Sequence, residues 1–269
     1  MFSILGPEET TLLKALDGIF ESWGIAQGAK SLTMPPLLPI QDLSRFNYFD
    51  NFPHQAMLAT SLNLEALKET SVDPSFREVP TDYLEPSALG LPSAACYAVY
   101  LHFQDQEVPA DGTLITVLGR CFRKEGKYQP LQRLLGFHMR EIVALGSQQY
   151  AAEHLEKFSS EILNFAQMID IPLRKEAATD PFYDRGGPRA VMQTLFPVKH
   201  EFCSQGLAIA SVNRHRNFFG DRCRIKIKGL SGPAFTSCVA FGLERWLSAL
   251  QTRYSDWQKA IRIVEGTRA

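Results

Sequence analysis

The sequence contains few cysteines and no arrangement that would pair them. There are five among 269 residues, an odd number, and none forms a Cys-x-x-Cys pair. This pattern excludes a disulfide-rich secreted scaffold. The sequence also lacks any stretch of 18 apolar residues and any basic N-terminal region followed by an apolar run. We therefore expect a soluble, cytoplasmic protein with no membrane span.

Neither sign of charge is in excess. The 28 lysines and arginines nearly balance the 29 aspartates and glutamates, for a formal net charge of -1. Proteins that hold long nucleic acids by electrostatics alone are usually more basic, so this balance weakens the case for a nucleic-acid partner but does not exclude one. Hydrophobic residues make up 45% of the chain, which is enough for the core of one large domain or two small ones.

Helical and extended patterns alternate in the first part of the chain, and no internal repeat occurs. Apolar residues at three- and four-residue steps predict a helix that begins at Pro7 and ends at Gly24. A short extended stretch follows at 31–36. Residues 70–93 are rich in Pro, Ser, Asp and Gly, which predicts a loop.

The rest of the chain is mostly strand-like. Strands are predicted at 112–125 and 136–146, and Ser147 is placed to cap a long amphipathic helix. Further strands are predicted at 191–203, 206–213 and 223–228, with a last helix that begins near Gly242. One early helix, many strands and late helices predict an α+β domain on an antiparallel sheet.

The first segment whose residues suit ligand binding or catalysis is 119–125. Side chains two apart on a strand share a face, so Cys121, Arg123 and Glu125 point together. An Arg beside a Glu on a sheet is often a solvated ion pair. Alternatively, the planar guanidinium of Arg123 can bind two oxygens of a phosphate, such as the α-phosphate of ATP.

The second segment is 137–141, in which Phe137, Met139 and Glu141 share a strand face. Phe137 by itself is typical of a core residue, although it could also support an adenine ring. The polar connection 126–135 has the length of a hairpin loop that could close over a nucleotide.

The third segment is 238–246. Gly242 at the start of a helix permits close approach by backbone or ligand. Arg245 in the first turn is either an exposed helix arginine or a second guanidinium for the γ-phosphate of a bent ATP.

Taken in order, these segments resemble motifs 2 and 3 of class II aminoacyl-tRNA synthetases. Met34, Pro35 and Pro36, after a helix, resemble motif 1, whose proline lies at a dimer interface. The resemblance spans roughly residues 8 to 250. It implies an α+β fold with a class II synthetase-type antiparallel sheet flanked by helices, and a homodimer.

Finer details resemble archaeal-type, zinc-dependent seryl-tRNA synthetases and their relatives, the short amino acid:[carrier protein] ligases. The segments that carry this resemblance are 92–97, 137–141, 178–187, 199–201, 211–220 and 236–245. Only about 30 residues precede the motif 1-like segment, too few for a long tRNA-binding arm. We therefore expect residues 1–269 to form a single catalytic domain with no separate tRNA-binding domain.

This resemblance implies a zinc ion in the amino-acid pocket, held by Cys96, Glu141 and Cys238. Two thiolates and a carboxylate leave a fourth position open for the amino group of the substrate. Without the resemblance, each cysteine would be interpreted as a small buried hydrophobic residue. Cys121, Cys203 and Cys223 match no ligand position, and we expect them to be structural.

The resemblance also implies the ATP-binding residues. Arg123 would hold the α-phosphate and Arg245 the γ-phosphate, with Phe137 and Arg245 on either face of the adenine. Glu125 would contact the adenine or the neighbouring arginine.

Glu201 and Asn213 would serve Mg²⁺ and the phosphates, because this ion prefers oxygen ligands. A salt bridge from Glu201 to Lys199 and a turn cap at Asn213 are the simpler alternatives. Asp180 and Arg185 are expected near the pocket without an assigned role.

The implied reaction is activation of glycine, alanine or serine by ATP, followed by transfer to the phosphopantetheine thiol of a carrier protein. The locally basic run 213–228 is either a docking face for an acidic carrier or a solvated strand face. Two other functions remain open: a truncated seryl-type synthetase that charges tRNA, and a non-catalytic regulatory paralogue. The missing arm and the balanced charge argue against tRNA charging, and the presence of both arginines, the metal-ligand set and Glu201 argues against a non-catalytic paralogue.

Overall fold

The computed structural model describes residues 3–68 and 78–267. Within this part of the chain, no helix is both long and apolar enough to cross a lipid bilayer. The predicted loop at 70–93 falls partly outside the described residues. Its described part, 78–93, contains a short 3₁₀ turn, Thr81–Tyr83, and one strand, Leu89–Leu91.

The described helices and strands are numbered along the chain. The helices are α1 (Pro7–Ala26), α2 (Ile40–Arg45), α3 (Tyr48–Asn51), α4 (Leu64–Lys68), α5 (Cys96–His102), α6 (Gln148–Met168), α7 (Pro188–Leu195), α8 (Phe218–Arg222), α9 (Leu243–Tyr254) and α10 (Trp257–Gly266). The strands are β1 (Lys30–Thr33), β2 (Leu38–Pro39), β3 (Met57–Ala59), β4 (Leu89–Leu91), β5 (Glu107–Val108), β6 (Thr113–Phe122), β7 (Gly136–Gly146), β8 (Arg174–Ala178), β9 (Lys199–Ser204), β10 (Leu207–Arg216), β11 (Lys226–Ile227) and β12 (Phe235–Gly242).

A seven-stranded sheet forms the centre of the molecule, in the order β1-β6-β7-β12-β10-β9-β8. Every neighbouring pair is antiparallel except β1 and β6, which run parallel. The predicted antiparallel sheet is confirmed, with one parallel pair at the β1 edge. The α+β class and the flanking helices are confirmed.

Long helices cover one face of this sheet. Apolar residues of α1, α6, α9 and α10 pack there against alternate residues of the central strands, among them Ile142, Val239 and Phe241. The predicted helix at Pro7 is confirmed and runs to Ala26. Ser147 caps α6 as predicted, because its side chain accepts a hydrogen bond from the backbone N–H of Tyr150.

The opposite face of the sheet packs on shorter elements and carries the polar residues singled out above. Buried residues of α2, α5 and α8 cover Val117, Val143 and Cys238. This face opens into cavities instead of being sealed by a long helix.

Two predicted strands are largely wrong. Residues 191–195 belong to α7, because Pro188 at its start suits the first turn of a helix, and Pro197 separates α7 from β9. In the run 223–228 only β11 is extended, and it pairs with β5 in a separate two-stranded sheet. The predicted strand at 112–125 ends at Phe122.

Candidate active site

Three side chains from separate elements meet in a buried cluster below the larger cavity. Cys96 begins α5, Glu141 lies in the middle of β7, and Cys238 lies on β12. Their ligand atoms all lie within 4.8 Å of one another, and no other such group of three or more His, Cys, Asp or Glu occurs among the described residues. We call this set the Cys-Glu-Cys cluster.

Hydrogen bonds hold the carboxylate of Glu141 in this cluster. Its Oε1 accepts from the backbone N–H of Ala95 at 2.8 Å, and its Oε2 from that of Cys96 at 3.1 Å. The thiol of Cys238 also donates to Oε2, at 2.9 Å. The first turn of α5 therefore orients the carboxylate before any ligand binds.

The donor set suits a zinc ion. Burial raises the pKa of the Cys238 thiol well above its ordinary value. The contact with Cys238 lowers the pKa of Cys96, but burial and the Glu141 carboxylate outweigh it, so that this pKa is also raised. Buried thiols beside a carboxylate thus need a cation to become thiolates, and two thiolates with one carboxylate form a ligand set that zinc accepts.

The larger cavity, of about 470 Å³, lies over the cluster. Two rows of the sheet form its floor. The first row runs Cys238–Asn213–Lys199, and the second runs Glu141–Ala240–Ser211, each residue directly opposite the next. Its walls are formed by aromatic residues of α5 and α8, by Met192 of α7 and by aromatic residues outside the helices: Tyr97, Phe218, Phe219, Met192, Phe46, Phe182 and Phe196.

A smaller cavity, of about 80 Å³, adjoins the first one and gathers most of the residues predicted to bind ATP. Its lining includes Arg123, Glu125, Phe137, Glu201 and Arg245. Arg123 lines both cavities. The structure therefore brings the two arginines together, although 121 residues separate them in the sequence.

Arg123 lies against the aromatic platform that the sequence predicted. Its guanidinium carbon is 5.0 Å from the centroid of the Phe137 ring, within the range of a cation–π contact. Nε and Nη2 both donate to the backbone oxygen of Ser93, at 3.2 and 3.0 Å. These two hydrogen bonds orient the guanidinium of Arg123. Its third nitrogen does not donate to this carbonyl.

Arg245 is partly buried, so the alternative of an exposed helix arginine is wrong. Its Nε donates to the backbone oxygen of Gln132 and its Nη1 to that of Ala208, both at 2.9 Å. Burial lowers the pKa of Arg245 to about 10, and the positive charges of Arg123 and Arg133 act in the same direction. At neutral pH the group remains a cation in a positively charged site, as binding of a polyphosphate requires.

The acidic and amide residues have local partners. Glu125 lies 3.3 Å from Arg133, and Glu201 lies 3.1 Å from Lys199, which is the salt bridge considered as an alternative. Asn213 is part of β10 and donates to the Ser211 hydroxyl at 3.1 Å, so the alternative of a turn cap is wrong.

Sequence reasoning missed two features of this region. Lys199 lines both cavities and contacts Asp180 as well as Glu201. The buried carboxylate of Glu244 accepts hydrogen bonds from the backbone N–H of His138, at 2.9 Å, and pairs with its ring Nδ1 at 2.7 Å. The sequence predicts Lys199 only as a salt-bridge partner of Glu201, and nothing local indicates the contact of Glu244 with His138.

Of the remaining predicted residues, only Asp180 lies at the site. Asp180 lines the larger cavity, and Arg185 is exposed and lines neither cavity. Cys121 and Cys223 are buried, and Cys203 is partly buried. None of these three cysteines lines either cavity.

Comparison with known proteins places this geometry in a family, although no protein-family model matches the chain. The chain is 31% identical over 252 residues to amino acid–[acyl-carrier-protein] ligase 2 of Bradyrhizobium diazoefficiens, covering 87% of this chain and 74% of that protein. It is 30% identical over 257 residues to ligase 1 of the same organism, covering 89% and 77%.

A solved structure shows the same fold. M. kandleri seryl-tRNA synthetase, in complex with A. aeolicus tRNASec, superposes with a TM-score of 0.79 at 17% identity. The match covers 98% of this chain but 56% of the synthetase, so the chain spans little more than half of that protein. The class II synthetase fold is thereby confirmed, and the two ligases show that the chain belongs to the amino acid–[acyl-carrier-protein] ligase family.

Proposed function

We propose that this protein uses ATP to convert a small amino acid into an aminoacyl-adenylate and then transfers the aminoacyl group to the phosphopantetheine thiol of a carrier protein. One observation carries the proposal. Arg123 and Arg245 line a single cavity that adjoins the buried Cys-Glu-Cys cluster. The names of the two Bradyrhizobium relatives support the carrier protein as acceptor.

Cys96, Glu141 and Cys238 would hold Zn²⁺. When bound, this ion supplies an open coordination position for the amino group of the substrate. The backbone N–H groups of Ala95 and Cys96 keep the Glu141 carboxylate oriented for that role. Glycine, alanine and serine are the substrates that the family resemblance favours.

The smaller cavity would receive the nucleotide. Arg123 would bind the α-phosphate and Arg245 the γ-phosphate, while Phe137 would stack on the adenine. Glu125 would contact the adenine or the nearby arginines. Glu201 and Asn213 would bind Mg²⁺ and the phosphates, once Glu201 leaves its salt bridge with Lys199.

Activation requires positioning and charge stabilisation more than acid–base chemistry. A carboxylate oxygen of the amino acid attacks the α-phosphorus, and pyrophosphate leaves with the bonding electrons. Arg123 and Arg245 offset the negative charge that develops on the phosphates. The carrier thiolate then attacks the carbonyl of the adenylate, and AMP leaves.

The larger cavity supports the second step. At about 470 Å³ it has the size of pockets that enclose drug-sized ligands. A small amino acid fills a minor part of that volume. The remainder leaves an apolar-walled path along which a pantetheine arm can approach the adenylate.

The experiment that tests this function has two stages. All twenty amino acids are assayed for ATP–pyrophosphate exchange, and we expect exchange with glycine, alanine or serine. The preferred amino acid is then offered with a phosphopantetheinylated carrier protein and, separately, with tRNA. A mass increase on the carrier alone supports the proposal, aminoacylated tRNA overturns the acceptor, and absence of any exchange overturns the function.

A further inference from the structure

A lysine lies where the two cavities meet, and the reaction described above does not use it. Lys199, the first residue of β9, lines both cavities. Its side chain is 15% exposed, and its Nζ lies 3.1 Å from a carboxylate oxygen of Glu201 and 3.3 Å from one of Asp180. A cation that has lost most of its water acts strongly on charges brought beside it.

The register of the sheet places Lys199 across the cavity floor from the metal-ligand candidates. Lys199 pairs with Asn213, and Asn213 pairs with Cys238. Directly paired residues project from the same face of a sheet, so the three side chains share the floor. Neighbouring strands lie about 4.8 Å apart, which separates the backbones of Lys199 and Cys238 by about 10 Å.

This separation matches the position of a substrate carboxylate. An amino acid whose amino group lies at Cys96 and Cys238 directs its carboxylate along the floor, toward Lys199 and Arg123. Both of these cations line both cavities. If the amino acid and ATP bind as proposed, the carboxylate and the α-phosphate meet where the two cavities join, and these two cations lie there.

We infer that the Lys199 ammonium is a catalytic residue that binds the substrate carboxylate and the α-phosphate as they react, an inference that rests on the proposed function. In this step an O–P bond forms between carboxylate and α-phosphorus, and the bond to pyrophosphate breaks with its electrons leaving on pyrophosphate. No proton is transferred. Lys199 stays protonated and offsets negative charge on the oxygens around the phosphorus.

Asp180 and α7 keep the ammonium in place. Asp180 accepts from the side-chain amide of Gln193 at 2.9 Å, and its backbone N–H donates to the Gln193 side-chain oxygen at 2.9 Å. Burial alone would raise the pKa of Asp180, but Lys199 and Gln193 hold it below the ordinary value, so the carboxylate stays charged at neutral pH. Gln193 contacts Asp180 and not Lys199, so its loss should lower kcat much less than loss of the Lys199 charge.

The test compares Lys199→Met, which removes the charge at similar length, with Lys199→Arg, which retains it. In pyrophosphate exchange we expect Lys199→Met to lower kcat about 100-fold and Lys199→Arg to lower it less than about tenfold. Lys175→Met is the matched control, because Lys175 lies on β8 over the Phe202 ring and lines neither cavity. We expect its kcat to equal that of the unaltered protein.

The kinetic results either support or overturn the catalytic role of Lys199. A kcat for Lys199→Met within twofold of an active parent overturns it and leaves the proposed function standing. An equal loss of kcat in Gln193→Leu also overturns it, because Lys199 would then act only by holding α7. If Lys199→Met unfolds at a lower temperature than the parent protein, kcat is measured for Lys199→Gln and judged by the same criterion. A parent protein without exchange activity overturns the proposed function and this inference together.

Discussion

The two cavities differ in whether their candidate ligand-binding groups are already arranged to meet a ligand. The larger one has a volume of about 470 Å³, and the Cys-Glu-Cys cluster below it is already assembled through hydrogen bonds to the start of α5. The smaller one has about 80 Å³. Its two arginines already donate hydrogen bonds within the protein. Arg245 donates to two backbone oxygens, and Arg123 donates to the Ser93 carbonyl.

This difference has a physical reason. The ligand groups of a buried metal site must be held together by the surrounding structure. A buried carboxylate that has no hydrogen-bond partner costs free energy. A nucleotide site can instead keep its charged groups paired with carbonyls and carboxylates and exchange those partners on binding. We therefore expect ATP binding to open the smaller cavity and leave the cluster unchanged. Four substitutions, in decreasing order of the loss we expect, test this contrast between the cavities.

Arg123→Ala should have the largest effect because Arg123 lines both cavities. We expect kcat/KM for pyrophosphate exchange to fall about 1,000-fold, as for the loss of a donor that acts on developing charge. Steady-state kinetics measure this loss. Arg120→Ala is the matched control, since Arg120 is an exposed residue of the same strand that lines neither cavity. A loss below tenfold in Arg123→Ala would contradict the assigned role.

Cys96→Ala tests the larger cavity alone. Removing one of three protein ligands should reduce bound zinc from about one equivalent to less than a tenth, with about a 100-fold loss of activity. Metal analysis by mass spectrometry measures the first effect, and ATP affinity should stay within threefold of the parent. Cys203→Ser, outside both cavities, should keep its metal. Full zinc occupancy in Cys96→Ala would refute the ligand set.

Phe137→Ala tests the smaller cavity alone. Loss of a ring that stacks on the adenine should raise the KM for ATP about tenfold and leave the zinc content intact. Phe137→Tyr, which retains a ring of similar size, should change this KM less than threefold. An unchanged KM for ATP in Phe137→Ala would place the adenine elsewhere.

Arg133→Ala should have the smallest effect. Arg133 pairs with Glu125 at the rim of the smaller cavity, and its side chain is 55% exposed. Exposed ion pairs contribute about 0–1 kcal/mol, so we expect less than a threefold change in the KM for ATP and in kcat. A tenfold loss would show that the 126–135 connection holds the nucleotide through this arginine.

The strand segments of the candidate site are predictable from the sequence because their signals are local. Side chains two apart on a strand share a face, and this alternation aligns Phe137 with Glu141 on β7. Arg123 follows the end of β6 at Phe122, so the same rule does not place it. The first helix and the Ser147 cap are predictable for the same reason, since apolar spacing and capping chemistry operate within a few residues.

Other features depend on partners distant in the sequence. Residues 191–195 have apolar character that suits a strand, yet they form α7 because Pro188 starts a helix and Gln193 anchors it to Asp180. The parallel pairing of β1 with β6 joins Lys30 to Ile115, which are distant in the sequence, and has no local signal. The contact of Glu244 with His138 joins residues 106 apart and has no local signal.

The chemical groups that are present, and their alternation along each strand, follow directly from the sequence, because these properties depend only on residue type and a period of two. Which of those groups meet depends on the fold. Register across β7, β12, β10 and β9 brings Glu141, Cys238, Asn213 and Lys199 onto one floor, and packing of α5 turns Cys96 toward them. Such proximity arises from the pairing of whole elements, and no single segment encodes it.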